Sequence, residues 1–265
     1  MKIFDIHHHV GSLRNVSYDA SLERMAEGHI ETLDRFDITS GAVMPAPAYR
    51  NPNGVADTRE VNDDMAAIKR EYGDRFPVAF GTVEPWYGEA ALDEIDRAIE
   101  EADLDGMMWH NRWQRMEVDG DMMLRLIERV IDHDAIVVLH THSDSELTSP
   151  WRVLKVAESF PDGEFIVLDA FSSIIQTEMM PKLSDNFDLE NVWFDISLAQ
   201  NLPRQLPPFK EAFGADKLIF GTDTYTERED PFTVLPMEQF EAADLTDEER
   251  RTILYENAAE LLDLE

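Results

Sequence analysis

The chain begins with the apolar run Lys2-Ile3-Phe4-Asp5-Ile6-His7 and then turns through His7-His8-His9-Val10-Gly11. Isoleucine and phenylalanine in a short run of this kind favour a β-strand. In a doubly wound α/β fold, the turn after the first strand is usually rich in glycine, because the backbone there approaches a phosphate. Here three histidines occupy that turn. The N-terminal sequence therefore disfavours a doubly wound sheet and favours the other common arrangement of alternating strands and helices, the (β/α)8 barrel.

The rest of the sequence alternates between strand-like apolar runs and amphipathic, helix-like segments. Eight such pairs in 265 residues fit a single (β/α)8 TIM barrel, for which about 250 residues is typical. No linker or low-complexity stretch interrupts the alternation, so we expect one domain over residues 1–265. The predicted strands are 2–7, 41–44, 76–81, 106–109, 135–140, 164–168, 192–196 and 218–221. The predicted helices are 21–36, 59–72, 89–102, 120–133, 150–160, 174–184, 206–213 and 246–262, the last beginning with a capping-box-like Thr246-Asp247-Glu248-Glu249.

The composition excludes several classes of function. Asp and Glu number 55 against 23 Lys and Arg, which gives a formal net charge of −32. Such a charge repels phosphate backbones and anionic membranes, so we expect neither nucleic-acid nor membrane binding. The acidic residues are spread from end to end, as in halophilic proteins, where salt screens the self-repulsion. The chain has no cysteine, which excludes disulfides and thiolate metal sites. Since it also lacks a long apolar stretch or signal sequence, we expect a cytoplasmic protein.

Residue types that bind metals follow three of the predicted strands. Side chains alternate along a strand, so His7 and His9 project to one side and His8 to the other. The apolar run of strand 5 ends in His140, and that of strand 8 ends in Asp223, a carboxylate that is costly to bury without a partner. In a barrel the carboxyl ends of the strands share one face. Three imidazoles and one carboxylate there suit a divalent transition metal with a position left for water.

The same residues carry a resemblance to a known family. The sequence resembles the amidohydrolase superfamily, and within it the group that includes aminocarboxymuconate-semialdehyde decarboxylase and lactone hydrolases. The resemblance covers nearly the whole chain. The matching stretches are Asp5-x-His7-x-His9, His140, Gly221-Thr222-Asp223, Asn257-Ala258-Ala259-x-Leu261-Leu262, Tyr72-Gly73-Asp74-Arg75-Phe76 before Gly81-Thr82-Val83-x-Pro85, and Phe160-Pro161-Asp162.

The resemblance implies a specific site. His7, His9, His140 and Asp223 would bind one metal ion, with Zn²⁺ favoured over Mn²⁺ or Fe²⁺. Asp223 would also accept a proton from a water at the metal, and Asp5 would fix the orientation of a ligand imidazole. By the same analogy the protein would be a homodimer with a small-molecule substrate.

Strand 6 departs from the family pattern. Where relatives usually have a histidine that contacts the water or the substrate, this chain has Asp169. An aspartate normally titrates near 3.9 and a nearby cation keeps it ionised, so it is a weak base at neutral pH unless burial raises its pKa. Three catalytic roles stay open: Asp169 is the base, Asp169 is a further ligand or orients one, or His142 supplies the missing imidazole. The remaining alternative is a barrel that is not catalytic.

The loops after strands 3 and 4 contain the predicted substrate-binding residues. These candidates are Trp86, His110, Arg112, Trp113 and Arg115. Aromatic and guanidinium groups suit a planar or cyclic carboxylate, because arginine binds carboxylates through two hydrogen bonds. The alternative is that Arg112 and Arg115 pair only with acidic residues at the surface. Strand 4, Gly106-Met107-Met108-Trp109-His110, lacks the Lys or Glu that bridges two ions in binuclear relatives, which favours a single metal. Two further histidines, His29 and His133, lie in predicted helices and are expected at the surface.

These features predict a metal-dependent hydrolase that acts on an amide, ester or lactone of a small substrate, and the loop arginines favour a carboxylated one. A non-oxidative decarboxylase with the same metal site is the alternative enzyme. The third hypothesis is a catalytically silent barrel that binds metal or a ligand, with Asp169 marking decay of the reaction centre.

Overall fold

A computed structural model of the chain describes residues 1–12, 20–226 and 231–264, with the backbone alone over 231–236. This described part contains nine β-strands, and every pair of neighbouring strands is parallel. The strands follow one another in the sheet in the order β8-β7-β6-β5-β4-β3-β2-β1-β9. Their bounds are β1 Phe4–Val10, β2 Ser40–Pro45, β3 Val78–Gly81, β4 Gly106–Trp109, β5 Ile136–His140, β6 Phe165–Leu168, β7 Val192–Asp195, β8 Leu218–Ile219 and β9 Thr224–Tyr225.

The stretch 218–225 closes the barrel. Its first part, β8, pairs with β7, and just beyond it the carbonyl of Phe220 accepts a hydrogen bond from the N–H of Ile6 at 3.1 Å. Its last part, β9, pairs with β1. One stretch of chain therefore bonds to both ends of the sheet, and the predicted (β/α)8 fold is confirmed.

Helices surround the sheet and connect its strands. Their bounds are α1 Leu22–Arg35, α2 Val55–Glu71, α3 Glu89–Glu100, α4 Asn111–Gln114, α5 Asp121–Ile131, α6 Pro150–Ser159, α7 Ile174–Ser184, α8 Leu202–Phe213, α9 Pro231–Ala242, α10 Asp247–Arg251 and α11 Asn257–Leu261. The short α4 and the helix α9 were not predicted. Among the described helices, none has a stretch long and apolar enough to span a bilayer.

Caps explain where two helices begin. The predicted capping box is confirmed, because Thr246 Oγ1 accepts from the N–H of Glu249 at 3.2 Å and Glu249 Oε2 accepts from the N–H of Thr246 at 2.8 Å. The predicted helix 246–262 is nevertheless divided by a π-helical turn at Thr252–Glu256. Helix α8 begins before the predicted residue 206, because the side chain of Asn201 caps it and proline is tolerated in a first helical turn.

Two apolar layers lie on the two faces of the sheet. The inner layer fills the barrel, and α11 covers its lower end with Ala258 and Leu261. The outer layer packs the other face of the strands against the helices. Along β5, Ile136 and Val138 belong to the inner layer. The next residue on that face is His140, so its side chain lies at the upper end of the barrel interior.

A β-bulge in β1 directs two histidines into the barrel. Ile6 belongs to the inner layer, and strict alternation would place His8 on that face next. The pairing of β1 with β2 shifts register between Asp5 and His8, and a bulge of this kind redirects the side chains that follow. His7 and His9 therefore face the interior, where both contact the ring of a third histidine, and His8 faces the helices.

His29 is buried, and the expectation that it lies at the surface is wrong. Its side chain is 1% exposed. His29 Nδ1 lies 3.1 Å from His8 Nδ1, and His29 Nε2 lies 2.9 Å from the hydroxyl of Thr226. His8 Nε2 in turn lies 2.9 Å from the carboxylate of Asp5. A polar network on the outer side of β1 thus compensates for the burial of two imidazoles. His133, the other histidine that was expected at the surface, is partly buried.

We expect the protein to lose stability in acid through His29. Burial lowers the pKa of His29 from 6.5 to about 3, and the neighbouring His8 ring acts in the same direction. Between these two values the unfolded chain binds a proton at this residue and the folded protein does not. The free energy of unfolding therefore falls as the pH drops from about 6.5 towards about 3. Urea unfolding midpoints should decline less steeply over this range for His29→Gln than for the wild type, and equal slopes would contradict the assignment.

Candidate metal centre

Two imidazole rings inside the barrel are held in one tautomer. His9 Nδ1 lies 2.8 Å from the carbonyl oxygen of Pro45, and His140 Nδ1 lies 3.1 Å from the carbonyl oxygen of Trp109. A carbonyl oxygen only accepts hydrogen bonds, so each Nδ1 carries the proton and each Nε2 keeps a lone pair. Burial holds the pKa of both rings well below the usual range, which keeps them neutral. Neutral imidazoles with a free Nε2 are the form that binds metals.

His7 is oriented by Asp195, a residue that the sequence analysis missed. His7 Nδ1 lies 2.7 Å from Asp195 Oδ2, and both side chains are fully buried. Burial disfavours the charged ring, but the carboxylate of Asp195 outweighs this effect and the pKa of His7 rises to about 9, with Asp223 and Asp169 acting in the same direction. When a cation replaces the Nε2 proton, the carboxylate at Nδ1 fixes the ring and makes Nε2 a better donor. The apolar run of β7 ends in Asp195, just as the run of the predicted strand 8 ends in Asp223. This similarity is the sequence feature that could have identified Asp195 as a site residue.

Asp195 is itself held on several sides. Its Oδ1 atom accepts hydrogen bonds from Ser197 Oγ at 2.8 Å and from the backbone N–H of Asp169 at 3.0 Å. Gly221 passes close to the ion pair, since a Cβ atom there would lie 2.7 Å from Asp195 Oδ2 and 3.1 Å from the Cβ of His7. The glycine is therefore needed for space, and any side chain at this position would displace the pair that orients His7.

The structure brings together the four metal ligands expected from the sequence. His7 Nε2 lies 3.0 Å from His9 Nε2, which in turn lies 3.3 Å from His140 Nε2. Asp223 Oδ1 lies 3.4 Å from His7 Nε2 and 3.7 Å from His9 Nε2. Ligand atoms about 2.1 Å from one ion are about 3.0 Å apart at right angles and about 3.4 Å apart at tetrahedral angles. The donor set therefore has both the chemistry and the spacing that one divalent transition metal requires.

Asp5 holds the backbone of β1 and not a ligand ring, contrary to the prediction. Its carboxylate accepts from the backbone N–H of His7 at 3.0 Å, and from the N–H and hydroxyl of Thr222 at 3.0 and 2.6 Å. Its side-chain ion pair is with His8, on the outer side of the strand. The bulge in β1 separates Asp5 from the inward-facing imidazoles. Within the described residues, the carboxylate that contacts a ligand ring through Nδ1 is that of Asp195.

Asp169, His142 and His110 form a second group at the mouth of the barrel. His142 Nε2 lies 3.3 Å from Asp169 Oδ2 and 3.4 Å from His110 Nε2. Burial raises the pKa of Asp169, although the nearby His142 and His7 rings act against this change. Asp169 and His142, the two candidates for the role of the missing strand-6 histidine, are thus in contact with each other. They follow two different strands, β5 and β6, so the sequence alone did not show this contact.

The predicted aromatic substrate residues occupy different positions at the mouth. Trp113 contacts the second group, with its ring 6.3 Å from the ring of His110. Trp86 is 65% exposed, and its indole N–H donates to the carbonyl oxygen of Gln114 at 2.6 Å. The structure therefore places Trp113 beside His110, while Trp86 donates to the end of α4, the helix that carries Trp113.

The predicted arginines are both exposed. Arg112 Nη1 lies 3.3 Å from Asp144 Oδ1, with each side chain about half exposed or more. Exposed ion pairs of this kind contribute about 0–1 kcal/mol to stability. A substrate carboxylate can therefore replace Asp144 as the partner of Arg112 at little cost. Arg115 is exposed at the end of α4, in a left-handed backbone conformation.

Comparison with known proteins identifies a family and several solved structures with a similar fold. The family model described as Amidohydrolase matches residues 4–264, whereas no curated protein sequence matches the chain significantly. A candidate amidohydrolase from Staphylococcus aureus is 17% identical, with a TM-score of 0.75 over 100% of both chains. A 5-carboxyvanillate decarboxylase from Sphingomonas paucimobilis is 14% identical, with a TM-score of 0.73 over 100% of this chain and 99% of that one. A dihydroxybenzoic acid decarboxylase from Polaromonas, solved with bound manganese, is 16% identical, with a TM-score of 0.73 over 99% and 97% of the two chains. At these identities the likeness to solved structures concerns the fold.

Proposed function

This chain belongs to the amidohydrolase family, and from that membership we propose that it is a metal-dependent hydrolase of an amide, ester or lactone in a small substrate. The observation that carries the proposal is the convergence of Nε2 of His7, His9 and His140 with the carboxylate of Asp223. When bound, a divalent ion lowers the pKa of a coordinated water to about 7 and polarises a carbonyl oxygen.

The donor set also bears on the identity of the ion. Three imidazoles and one carboxylate suit Zn²⁺, and they are also acceptable to Mn²⁺ and Fe²⁺. We favour Zn²⁺ on this chemistry. The manganese in the Polaromonas decarboxylase supports Mn²⁺ as the alternative.

Asp223 is the proton acceptor in this proposal. Its side chain is 8% exposed, so it is shielded from bulk water. Its backbone has a φ of 57°, a left-handed conformation that costs energy for a residue other than glycine and persists only where the surroundings impose it. Asp223 would then pass this proton to the leaving group.

Decarboxylation at the same centre is the second candidate. The two decarboxylases that share the fold support it. Arg112 and Arg115 at the mouth also support it, because guanidinium groups bind carboxylates. In that reaction the substrate carboxylate leaves as carbon dioxide, so an arginine that binds it would act on the reacting group itself.

Replacing Arg112 with alanine separates the two reactions. For a decarboxylase we expect turnover to be abolished, because the departing carboxylate is no longer held. For a hydrolase we expect KM to rise while kcat stays nearly unchanged, because only substrate binding is weakened. Asp144→Asn is the matched control, since it frees Arg112 from its partner 3.3 Å away and keeps the guanidinium group. If KM and kcat both stay unchanged in Arg112→Ala, this residue lies outside the substrate site.

Metal analysis and a substrate screen together test the proposed function. The protein would be purified in high salt without a histidine tag, analysed for metals, and offered esters, lactones and amides together with hydroxylated benzoates. Hydrolysis that a chelator abolishes and Zn²⁺ or Mn²⁺ restores would support the proposal. Release of carbon dioxide would support the second candidate in its place. Bound metal without turnover of any compound would overturn both and favour the silent barrel.

We also propose the setting in which the enzyme works. The net charge of −32 favours a cytoplasm with molar salt, a small-molecule substrate, and no nucleic-acid or membrane partner. Family analogy favours a homodimer, which light scattering in molar KCl would test.

The melting temperature Tm should rise with KCl concentration, because the length over which salt screens charges shrinks to about 3 Å at 1 M salt. A Tm that is independent of KCl would contradict the adaptation to salt.

A further inference from the structure

A group of metal-binding side chains outside the first donor set lies at the mouth of the barrel. It consists of His110 after β4, His142 after β5 and Asp169 after β6, and their donor atoms lie within 4.8 Å of one another. We propose that these three residues hold a second divalent metal ion beside the first. The proposal does not depend on whether the enzyme hydrolyses or decarboxylates its substrate.

Two of the three donor pairs are spaced like metal ligands, and the third pair, His110 and Asp169, lies within 4.8 Å. His142 Nε2 lies 3.3 Å from Asp169 Oδ2 and 3.4 Å from His110 Nε2. Hydrogen bonds between such atoms are usually about 2.7–3.2 Å long, whereas two ligands of one ion at tetrahedral angles are about 3.4 Å apart. His142 Nε2 can also carry only one proton, which cannot serve both neighbours. One cation between the three atoms would satisfy all of them.

His110 is buried beside the first donor set. The residue is 7% exposed, and its Nε2 atom, the proposed donor, lies 3.4 Å from His142 Nε2. The ring stacks on His140 of the first donor set, with centroids 4.3 Å apart. His110 thus lies directly beside the first metal site, with its Nε2 atom facing His142.

The backbone of Asp169 is left-handed, with a φ of 61°, as is that of Asp223 with a φ of 57°. Aspartate tolerates this conformation better than most residues. The N–H of Asp169 donates to Asp195 Oδ1 at 3.0 Å, and its carbonyl oxygen accepts from Gln176 Nε2 at 2.8 Å. These contacts fix the turn, which directs Oδ2 towards His142. The turn thus presents this carboxylate to the imidazole of His142.

The sequence favoured a single ion because strand 4 has no bridging Lys or Glu. The second set does not need a bridging residue in strand 4, because it has three donors of its own. Each of them lies one or two residues beyond the end of β4, β5 or β6.

Metal counting on the full-length protein tests this inference. After removal of metal with a chelator, the protein would be dialysed against Mn²⁺ in molar salt and its manganese content measured by mass spectrometry. We expect close to two ions per chain in the wild type and one in His142→Ala, with the first donor set still loaded. Electron paramagnetic resonance should show a coupled pair of Mn²⁺ ions in the wild type and isolated ions in the variant.

Two further variants complete the design. His110→Ala should give the same single ion and keeps the test decisive if His142→Ala does not fold. His133→Ala is the matched control, because this histidine pairs with Asp96 away from the site, and it should retain two ions. One ion per chain in the wild type would overturn the inference and leave the proposed function standing. Two ions that persist in both His142→Ala and His110→Ala would also overturn it. Two ions without any turnover would support the second site while the proposed function fails.

Discussion

Asp223→Asn is expected to lower kcat by a factor of about 10² to 10⁴, the usual contribution of a positioned proton acceptor. An asparagine oxygen still faces the imidazoles from a similar position, where Asp223 Oδ1 now lies 3.4 Å from His7 Nε2. It cannot accept a proton at neutral pH, so the loss should fall on the chemical step. The measurement is kcat under saturating substrate, with the metal content of the same sample determined in parallel. A kcat close to that of the wild type in a fully loaded variant would rule out Asp223 as the proton acceptor.

A second aspartate provides the control for this prediction. Asp105 precedes β4 at the opposite end of the barrel, where it accepts from the N–H of Ala79 at 2.8 Å and pairs with Lys69 at 3.0 Å. Asp105→Asn also replaces a carboxylate with an amide, at a residue that is 30% exposed. We expect it to lower stability and leave kcat unchanged, because its contacts are far from the donor set.

Asp195→Asn is expected to weaken binding of the first metal ion by about 10- to 100-fold, the usual effect of removing the partner of a ligand imidazole. The carboxylate at 2.7 Å from His7 Nδ1 both orients the ring and strengthens Nε2 as a donor. One effect opposes this loss. Without the carboxylate the pKa of His7 falls from about 9, so protons compete less with the metal at neutral pH. Affinities measured with chelator-buffered metal between about pH 7 and about pH 9 separate the two effects, and the deficit should be largest at the upper end.

Asp5→Asn is the matched control, because the sequence had assigned the orienting role to Asp5. An asparagine oxygen can still accept from the backbone N–H of His7, as Asp5 does at 3.0 Å. We therefore expect metal affinity to change little in this variant. If Asp5→Asn weakens binding as much as Asp195→Asn does, the assignment made from the sequence is the better one.

Much of the barrel and of the first donor set could be predicted because they depend on local pattern. Each predicted strand is an apolar run bounded by turn residues, and a parallel barrel necessarily brings the carboxyl ends of all its strands to one face. A histidine or aspartate that ends such a run, like His140 or Asp223, is thereby assigned to the same site without knowledge of any contact. The helix limits were less predictable, since the cap at Asn201 competes with the prolines that argue against an early start of α8.

The contacts that organise the site could not be predicted in this way. Asp195 and His7 are 188 residues apart in sequence, and His29 is buried because of what packs on the outer side of β1. Neither fact has a local signature. The second group, with His110, His142 and Asp169, depends on how three loops fold over three strands, so its members appeared in the sequence as unrelated candidates.

The sequence by itself determined the order of strands and helices, the acidic surface and the residue types at the strand ends. It did so because hydrophobic periodicity and charge are properties of neighbouring residues. Only the tertiary structure decided which carboxylate orients which imidazole. A single bulge in β1 turns His7 and His9 into the barrel and leaves Asp5 paired with His8 on the other side. A shift of one residue in strand register reverses the direction of every side chain that follows, and that shift is set by pairing with a distant strand.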